Sequence, residues 1–241
     1  MSLSPTQSLP LIRWDAPGPY LAAFSTRVGG VSGAPFDTLN LGKLTADDPR
    51  HVAENRARFC VEAGTDPELL CFGRQVHGAA VRRAHGQGEP GDGLWTDDRG
   101  KPLLVFGADC LPVAVARANG DAPAIAALHV GWRGLLAGIV QTAVLELGGG
   151  TLAAVIGPGI GPCCYDVGED VGAPFRARFG EEIVRNGKLD LWSATEQALH
   201  ASGVESVSRV DLCTACNPEL FFSHRRDGGQ TGRQGLIAYV T

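Results

Sequence analysis

Runs of apolar residues alternate along the chain with segments whose apolar residues recur every three or four positions. The runs predict buried strands, and the periodic segments predict amphipathic helices. The predicted strands cover residues 20–26, 69–78, 79–84, 102–110, 112–118, 122–130, 152–157 and 235–240. The predicted helices cover residues 48–64, 133–147, 169–180 and 191–203. This order indicates an α+β fold with α/β-like alternation, in which mixed sheets are flanked by helices.

Chain length bears on the number of domains. With 241 residues, of which 44% are hydrophobic, the chain can bury a substantial core. Length alone permits one large domain or two small ones, but no linker, charge block or repeat divides the sequence. We therefore expect a single layered domain over residues 1–241, with residues 1–19 as an N-terminal extension.

Charge and cysteine content exclude several classes of partner. The net charge of −5 gives no basic footprint for nucleic acid, and no apolar run is long enough to cross a bilayer. The opening MSLSPTQSLPLIRW lacks the basic and apolar regions of a signal peptide. Seven cysteines, an odd number, are more typical of reduced thiols than of a disulfide framework. A cytoplasmic location is the expectation.

Three metal-ligating side chains follow or end predicted strands. His77 lies in RQVHGAAV, Cys110 in GADCLPV, and His129 at the end of the strand over 122–130. Two imidazoles and one thiolate make a three-ligand zinc set that leaves a fourth position open for water or substrate. The residues are far apart in sequence, so the site would be tertiary. Taken alone, each residue is more simply explained as a structural histidine or an inert buried thiol.

Two arginines beside glycine-rich turns are candidates for anion binding. Arg27 precedes Gly29 and Gly30, where free backbone N–H groups and a guanidinium could meet an anion, although a plain solvated hairpin loop is the simpler interpretation. Arg133 starts a predicted helix, whose N-terminus favours negative charge. Trp132 would shield that site or stack on a flat ring. A core tryptophan and a capping arginine are the alternative.

Four further cysteines form two short pairs. They are Cys163 and Cys164 in GPCCYDVG, and Cys213 and Cys216 in LCTAC. A cytidine-deaminase zinc site would require His-x-Glu and Pro-Cys-x-x-Cys, and the chain has neither. A structural metal held by all four cysteines is an alternative, but plain buried thiols are the simpler expectation.

The ordered segments FSTRVGGVSG, QVHG, ADCLPV, HVGWRG, IGPGIGPCCYDVG and CTACNPELFFSHRRDGGQTGR carry a family resemblance over residues 20–240. They closely resemble the laccase-domain family, whose members were once called multicopper polyphenol oxidases and are now regarded as purine nucleoside phosphorylases. The resemblance implies a zinc ion held by His77, Cys110 and His129. It also implies a layered fold similar to the catalytic domains of deamidating toxins.

The activity that the resemblance implies is phosphorolysis of adenosine, inosine, guanosine and methylthioadenosine, with hydrolytic deamination of adenosine. The substrates would be purine nucleosides and phosphate. Three positions depart from the family pattern: Gly107, Val130 and His224 stand where Thr, Ala and Tyr are usual. None is an expected ligand, but Gly107 would widen the pocket and leaves the preferred nucleoside open.

Roles for the remaining residues follow from the needs of phosphorolysis. Phosphate would be held by Arg27, the Gly29–Gly30 loop and Arg133. Asn40 would orient the nucleoside. Asp109, next to the expected ligand Cys110, would orient a ligand or move a proton.

Three rival hypotheses use the same residues differently. A copper oxidase needs many imidazoles, whereas the chain has six histidines and no His-x-His pair, so copper is the less favoured metal. A metal-free cysteine hydrolase or deamidase would use Cys110 as nucleophile and His129 as base. A non-catalytic metal-binding partner of another enzyme is the third hypothesis.

Overall fold

The computed structural model describes residues 8–118 and 122–241. Within them the strands are β1 Leu11–Trp14, β2 Tyr20–Ser25, β3 Phe72–Arg74, β4 Val81–Arg83, β5 Gln87–Pro90, β6 Gly93–Thr96, β7 Leu103–Gly107, β8 Leu111–Arg117, β9 Ile125–Val130, β10 Leu152–Ile156, β11 Val184–Arg185, β12 Lys188–Leu189, β13 Val204–Arg209 and β14 Gln234–Val240. The α-helices are α1 Pro49–Glu62, α2 Trp132–Leu136, α3 Ile139–Leu147, α4 Glu169–Phe179 and α5 Leu191–Ala201. The expected α+β class is confirmed.

The two main sheets have different pairing. The four-stranded sheet has the order β1-β2-β14-β7, and all of its neighbours are antiparallel. The six-stranded sheet has the order β13-β10-β8-β9-β6-β4. Its four central strands are antiparallel, while β13 and β4 join its edges in parallel. The second sheet is therefore mixed.

Alternation of side chains along the strands divides the interior into three apolar layers. In β14, Leu236 and Ala238 face the six-stranded sheet, whereas Ile237 and Tyr239 face α1. A third and larger layer lies between the six-stranded sheet and α2 to α5, and Phe175 is fully buried in it. The order is helix, sheet, sheet, helices. Both sheets are covered on both faces, which explains their continuous apolar runs.

The prediction of a single helix over residues 133–147 is wrong in one respect. The chain forms two helices, α2 and α3, because Gly138 between them adopts φ +92°. That left-handed conformation is accessible to glycine at little cost and cannot continue a right-handed helix. The apolar stripe of the sequence survives the break, since Leu136 before it packs partly buried against the same layer in which Ile139 and Val140 after it are buried.

Several short strands are absent from the sequence-based prediction. Residues 69–78 supply only β3, which pairs with β5 rather than with the neighbouring β4. The strands β1, β5, β6, β11, β12 and β13 are also unpredicted, because they are short, rich in glycine or polar. Strand β1 lies in the expected N-terminal extension and pairs with β2. Among the described helices, none combines the length and apolarity needed to cross a bilayer.

A candidate metal centre in a basic cavity

Two loops and the end of a strand bring the predicted metal ligands together. His77 lies in the loop between β3 and β4, Cys110 lies in the turn between β7 and β8, and His129 lies near the end of β9. The ligand atoms of these three residues, here called the ligand triad, all lie within 4.8 Å of one another. The two imidazole rings meet edge to face, with centroids 4.9 Å apart and planes at 83°.

A buried carboxylate organises the triad from behind. Asp92 is 1% exposed, and its Oδ1 atom lies 2.8 Å from Nδ1 of His129. The same carboxylate accepts hydrogen bonds from the backbone N–H groups of Val76, His77 and Gly78, at 2.8–3.0 Å. Asp92 therefore fixes both the imidazole of His129 and the loop that carries His77. Such a carboxylate–histidine pair is typical of metal sites.

The electrostatics of the triad favour a thiolate. Burial acts to raise the pKa of Cys110, but the imidazoles of His129 and His77 outweigh it and lower the pKa to about 6. Burial acts to lower the pKa of His129, but Cys110 and Asp92 outweigh it and raise the pKa to about 9. Each partner thus stabilises the charged form of the other, and a cation would find a ready sulfur ligand.

Backbone conformation around the triad is unusual. His77 has φ +60° and Asp109, next to Cys110, has φ +92°. Non-glycine residues adopt such angles only when their surroundings hold them there, and they cluster at functional sites. Gly131 leaves space for the triad, since a Cβ there would lie 3.1 Å from Sγ of Cys110. The turns are shaped around the triad.

The donor set fits a zinc ion. Two imidazoles and a thiolate are the nitrogen and sulfur ligands that zinc prefers, and three protein ligands leave one position open. Because Nδ1 of His129 is engaged by Asp92, Nε2 is the nitrogen that would act as the donor atom.

The triad opens into a large cavity of about 910 Å³. Its lining is strongly basic although the chain is acidic overall. Among the described residues, one carboxylate, that of Asp109, faces six cationic side chains: Lys43, Arg56, Arg74, Arg133, Arg225 and Arg233. Such a concentration of positive charge in a concave site attracts anions. The volume matches that of small-molecule sites in proteins.

Aromatic rings line the same cavity. Phe72 and Phe106 flank Arg56, whose guanidinium carbon lies 4.4 and 4.7 Å from the two ring centroids. Trp132 and Tyr165 also line the cavity. Rings beside cations provide flat apolar surface together with charge. This combination suits a ligand that has both a planar base and an anionic group.

The carboxylate of Asp109 connects two loops through hydrogen bonds. Its Oδ1 accepts a hydrogen bond of 2.7 Å from the hydroxyl of Thr214, and its Oδ2 accepts one of 2.7 Å from the backbone N–H of Arg225. The carboxylate joins the turn that carries Cys110 to the loop that carries Arg225. The expected role of Asp109 in orienting a ligand or moving a proton stays a prediction.

The structure does not bring Arg27 and Asn40 to the cavity. The Arg27 guanidinium donates to the carbonyl oxygens of Asp37 and Pro218 and packs over the ring of Phe222. Asn40 is fully buried, and its Oδ1 accepts from the backbone N–H groups of Gly42 and Arg233. Both residues stabilise loops around the site. By contrast, Arg133 does line the cavity, and its expected role in holding phosphate stays a prediction.

Several site residues escaped the sequence analysis. Asp92 lies in the turn PGDGL and gave no signal beyond a polar residue between two glycines. Arg225 and Arg233 lie in a loop-rich segment that has no regular apolar pattern, and Tyr165 directly follows the paired cysteines. A surplus of arginine in that loop-rich region was the one available sign of an anion site.

Known proteins match this chain over nearly its whole length. Residues 21–241 match the model of the family described as multi-copper polyphenol oxidoreductase laccase. The purine nucleoside phosphorylase YfiH of Escherichia coli is 37% identical over 239 residues, covering 95% of this chain and 97% of the relative. A purine nucleoside phosphorylase of Deinococcus radiodurans is 41% identical over 243 residues, covering 95% and 92%.

Solved structures share the fold. YlmD from Geobacillus stearothermophilus superposes with a TM-score of 0.88 at 32% identity, covering 95% of this chain and 96% of that one. The YfiH protein of Bacillus licheniformis gives a TM-score of 0.85 at 30% identity, covering 96% and 99%. With its family match and these relatives extending over almost all of its residues, the chain belongs to the multi-copper polyphenol oxidoreductase laccase family.

Proposed function

We propose that this protein is a zinc-dependent purine nucleoside phosphorylase that acts on adenosine, inosine, guanosine and methylthioadenosine and also deaminates adenosine. The observation that carries the proposal is the ligand triad at the wall of a basic, aromatic cavity. The names of the relatives from Escherichia coli and Deinococcus radiodurans support the phosphorylase part.

Phosphate binding is assigned to the cavity arginines in place of Arg27. Arg133 is the leading candidate, because its guanidinium stacks 4.1 Å over the Trp132 ring and makes no hydrogen bond within residues 8–118 and 122–241. Arg233 is held nearby by Asn40 and is close enough to Cys110 and Asp109 to interact with their charges. A guanidinium presents paired donors that match phosphate oxygens.

In phosphorolysis, a phosphate oxygen forms a bond to C1′ of the ribose while the bond from C1′ to the purine nitrogen breaks. The purine then gains a proton, and the products are the free base and ribose 1-phosphate. Cavity arginines would hold the attacking phosphate in line, and the aromatic rings of Trp132 and Tyr165 would hold the base. Asp109 would contribute by positioning Cys110 and Arg225.

His77, Cys110 and His129 would hold the zinc ion. When bound, zinc supplies Lewis-acid chemistry: it polarises an oxygen or nitrogen of the substrate and makes water more acidic. Asp92 would keep His129 in the tautomer that presents Nε2. Deamination of adenosine consumes one water and releases ammonia and inosine, and it would use the same cavity without phosphate.

The test is an assay of the purified chain with inosine and phosphate. We expect equal amounts of hypoxanthine and ribose 1-phosphate, and we expect inosine and ammonia from adenosine when phosphate is omitted. His77→Ala should abolish both reactions together with zinc at this centre. The matched control is His85→Ala, an exposed histidine outside the cavity, which should retain both. Full activity in a variant without metal at the triad would contradict the proposal.

A metal-free cysteine hydrolase or deamidase is the second candidate, and one observation favours it. Asp92, His129 and Cys110 form the acid–base–nucleophile sequence of a catalytic triad. That chemistry needs one imidazole, however, and leaves His77 without a role. Activity after complete removal of metal separates the two candidates, since a cysteine hydrolase would remain active without zinc.

A further inference from the structure

Four cysteines that the proposed function does not use converge on one point. The thiol cluster consists of Cys163, Cys164, Cys213 and Cys216. All four sulfur atoms lie within 4.8 Å of one another, although the two pairs are about fifty residues apart in the chain. The Sγ atom of Cys216 lies 3.5 Å from that of Cys163 and 3.4 Å from that of Cys164. The simpler expectation of separate thiols therefore does not account for their arrangement.

The spacing matches a single tetrahedral ion. Four thiolates at the usual zinc–sulfur distance of about 2.3 Å would have sulfur atoms about 3.8 Å apart. A disulfide would require a pair at about 2.05 Å, and all seven cysteines are free. An iron–sulfur cluster needs a wider ring of thiolates, because several iron and sulfide atoms must fit inside it.

The surrounding backbone supports the cluster as a binding site. The N–H of Gly161 donates to Sγ of Cys213 at 3.3 Å, the kind of bond that stabilises a metal-bound thiolate. Gly161 also allows the close approach, since a Cβ there would lie 2.6 Å from the Trp192 ring and 3.3 Å from Sγ of Cys163. Cys213 is buried, whereas Cys163 and Cys216 are exposed, so the site lies near the surface.

We propose that the thiol cluster is a second zinc site, with a structural role distinct from the ligand triad. Four thiolates saturate a tetrahedral ion and leave no position for substrate, which is the arrangement of structural zinc. This inference does not rest on the proposed function, because the geometry that carries it lies in the thiol cluster alone; the triad enters only the test, as the holder of the other ion.

The ion would clamp two loops that build the cavity wall. One loop continues from Cys164 directly into Tyr165, which lines the cavity. The other loop contains Thr214, whose hydroxyl donates a hydrogen bond to Asp109. The backbone N–H of Thr214 also donates to the carbonyl oxygen of Gly159, and this bond joins the second loop to the first. Zinc at the thiol cluster would therefore hold the cavity wall in shape without contacting substrate.

The test is the zinc content of purified protein together with the environment of each ion. We expect two zinc ions per chain in the wild type and one in Cys163→Ser/Cys216→Ser. His77→Ala should also retain one, and its zinc X-ray absorption spectrum should show four sulfur neighbours at about 2.3 Å and no nitrogen. The control Cys71→Ala, a cysteine outside both clusters, should keep two ions.

A wild type with one zinc, lost entirely in His77→Ala, would overturn the proposal. So would iron in place of zinc, or an intact mass lower by two hydrogens that reveals a disulfide between cluster cysteines. The spectrum of His77→Ala decides the matter even where the double cysteine variant does not fold. Because the readout is coordination and not catalysis, failure of this proposal is distinguishable from failure of the proposed function.

Discussion

Oδ1 of Asp92 lies 2.8 Å from Nδ1 of His129 and also accepts the backbone N–H of His77 at 2.9 Å. One oxygen atom thus positions two of the three candidate metal ligands. The carboxylate of Asp92 is buried, and its other oxygen, Oδ2, accepts hydrogen bonds from two further backbone N–H groups. The geometry of the candidate metal centre therefore depends on a residue that would not touch the metal.

Replacing this carboxylate should weaken zinc binding while leaving all three ligands in place. Asp92→Asn puts an amide NH₂ where an acceptor is needed, and it removes the charge that favours His129 as a ligand. We expect zinc affinity to fall by about 10- to 100-fold, as for other partners of metal-binding histidines. Competition with a chromophoric chelator measures the change. Asp97→Asn, at an exposed aspartate, is the control, and unchanged affinity in Asp92→Asn would refute this role.

Zinc-free protein should have an acidic thiol at Cys110. Its pKa is lowered to about 6, so the thiolate predominates at pH 7.5 and is lost as pH falls through 6. Alkylation by iodoacetamide, followed by peptide mass spectrometry, should therefore stay fast down to about pH 6. Cys60, whose burial raises its pKa to about 12, is the internal comparison and should stay unmodified. Added zinc should protect Cys110, and a rate that falls off near pH 9 would contradict the electrostatic interpretation.

Arg133 should affect phosphate more than nucleoside. Loss of a hydrogen bond to a charged group typically weakens binding by about 1.5–3 kcal/mol, so Arg133→Ala should raise KM for phosphate about 10- to 100-fold. Zinc content should not change. Arg133→Lys should recover part of the loss, and Arg185→Ala, at an exposed arginine outside the cavity, should have no effect. An unchanged phosphate KM in Arg133→Ala would remove Arg133 from the phosphate site.

Asn40 should act through stability and through the position of Arg233. It is fully buried, and Asn40→Ala would leave the N–H groups of Gly42 and Arg233 without their acceptor. We expect a loss of about 2–4 kcal/mol in the free energy of unfolding, measured with urea. Direct nucleoside binding by Asn40 would instead raise KM for inosine at unchanged stability, and that result would favour the sequence-based expectation.

Gly131 should be intolerant of a side chain because of the space it leaves for the triad. Its backbone angles, φ −92° and ψ 169°, suit any residue, so Gly131→Ala tests crowding alone. The new Cβ would lie 3.1 Å from Sγ of Cys110 and 3.4 Å from Cδ2 of His77. We expect zinc affinity to drop by about tenfold. Gly33→Ala, where a Cβ meets nothing within 4 Å, should bind zinc normally.

The sequence predicts the ligand triad better than its surroundings, and the reason is physical. His77, Cys110 and His129 are uncommon polar residues at the ends of apolar strands. The apolar run predicts the strand, and the polar residue that ends it stands out as a candidate ligand. Asp92 interacts with them across the fold from a glycine-flanked turn, so no local pattern identifies it. Arg27 follows a strand in the same manner as the ligands, yet its guanidinium is taken up by Asp37 and Pro218.

The long elements were predicted for a similar reason. Helix α1 has an amphipathic pattern and strands β8 and β9 have continuous apolar runs, and the structure contains all three elements. The break at Gly138 separates α2 from α3 without disturbing the apolar stripe, so periodicity could not detect it. Strand β13 is polar on most positions and belongs to the sheet through its partner β10, which is a long-range interaction.

The place of β14 has a consequence for synthesis on the ribosome. This strand, Gln234–Val240, lies between β2 and β7 inside the four-stranded sheet, so those two earlier strands cannot join until residue 240 has emerged. The ladder that completes this sheet is also among the longest-range pairings in the chain. A nascent polypeptide interrupted before this strand would expose two unpaired edges, and we expect quality-control proteases to recognise it.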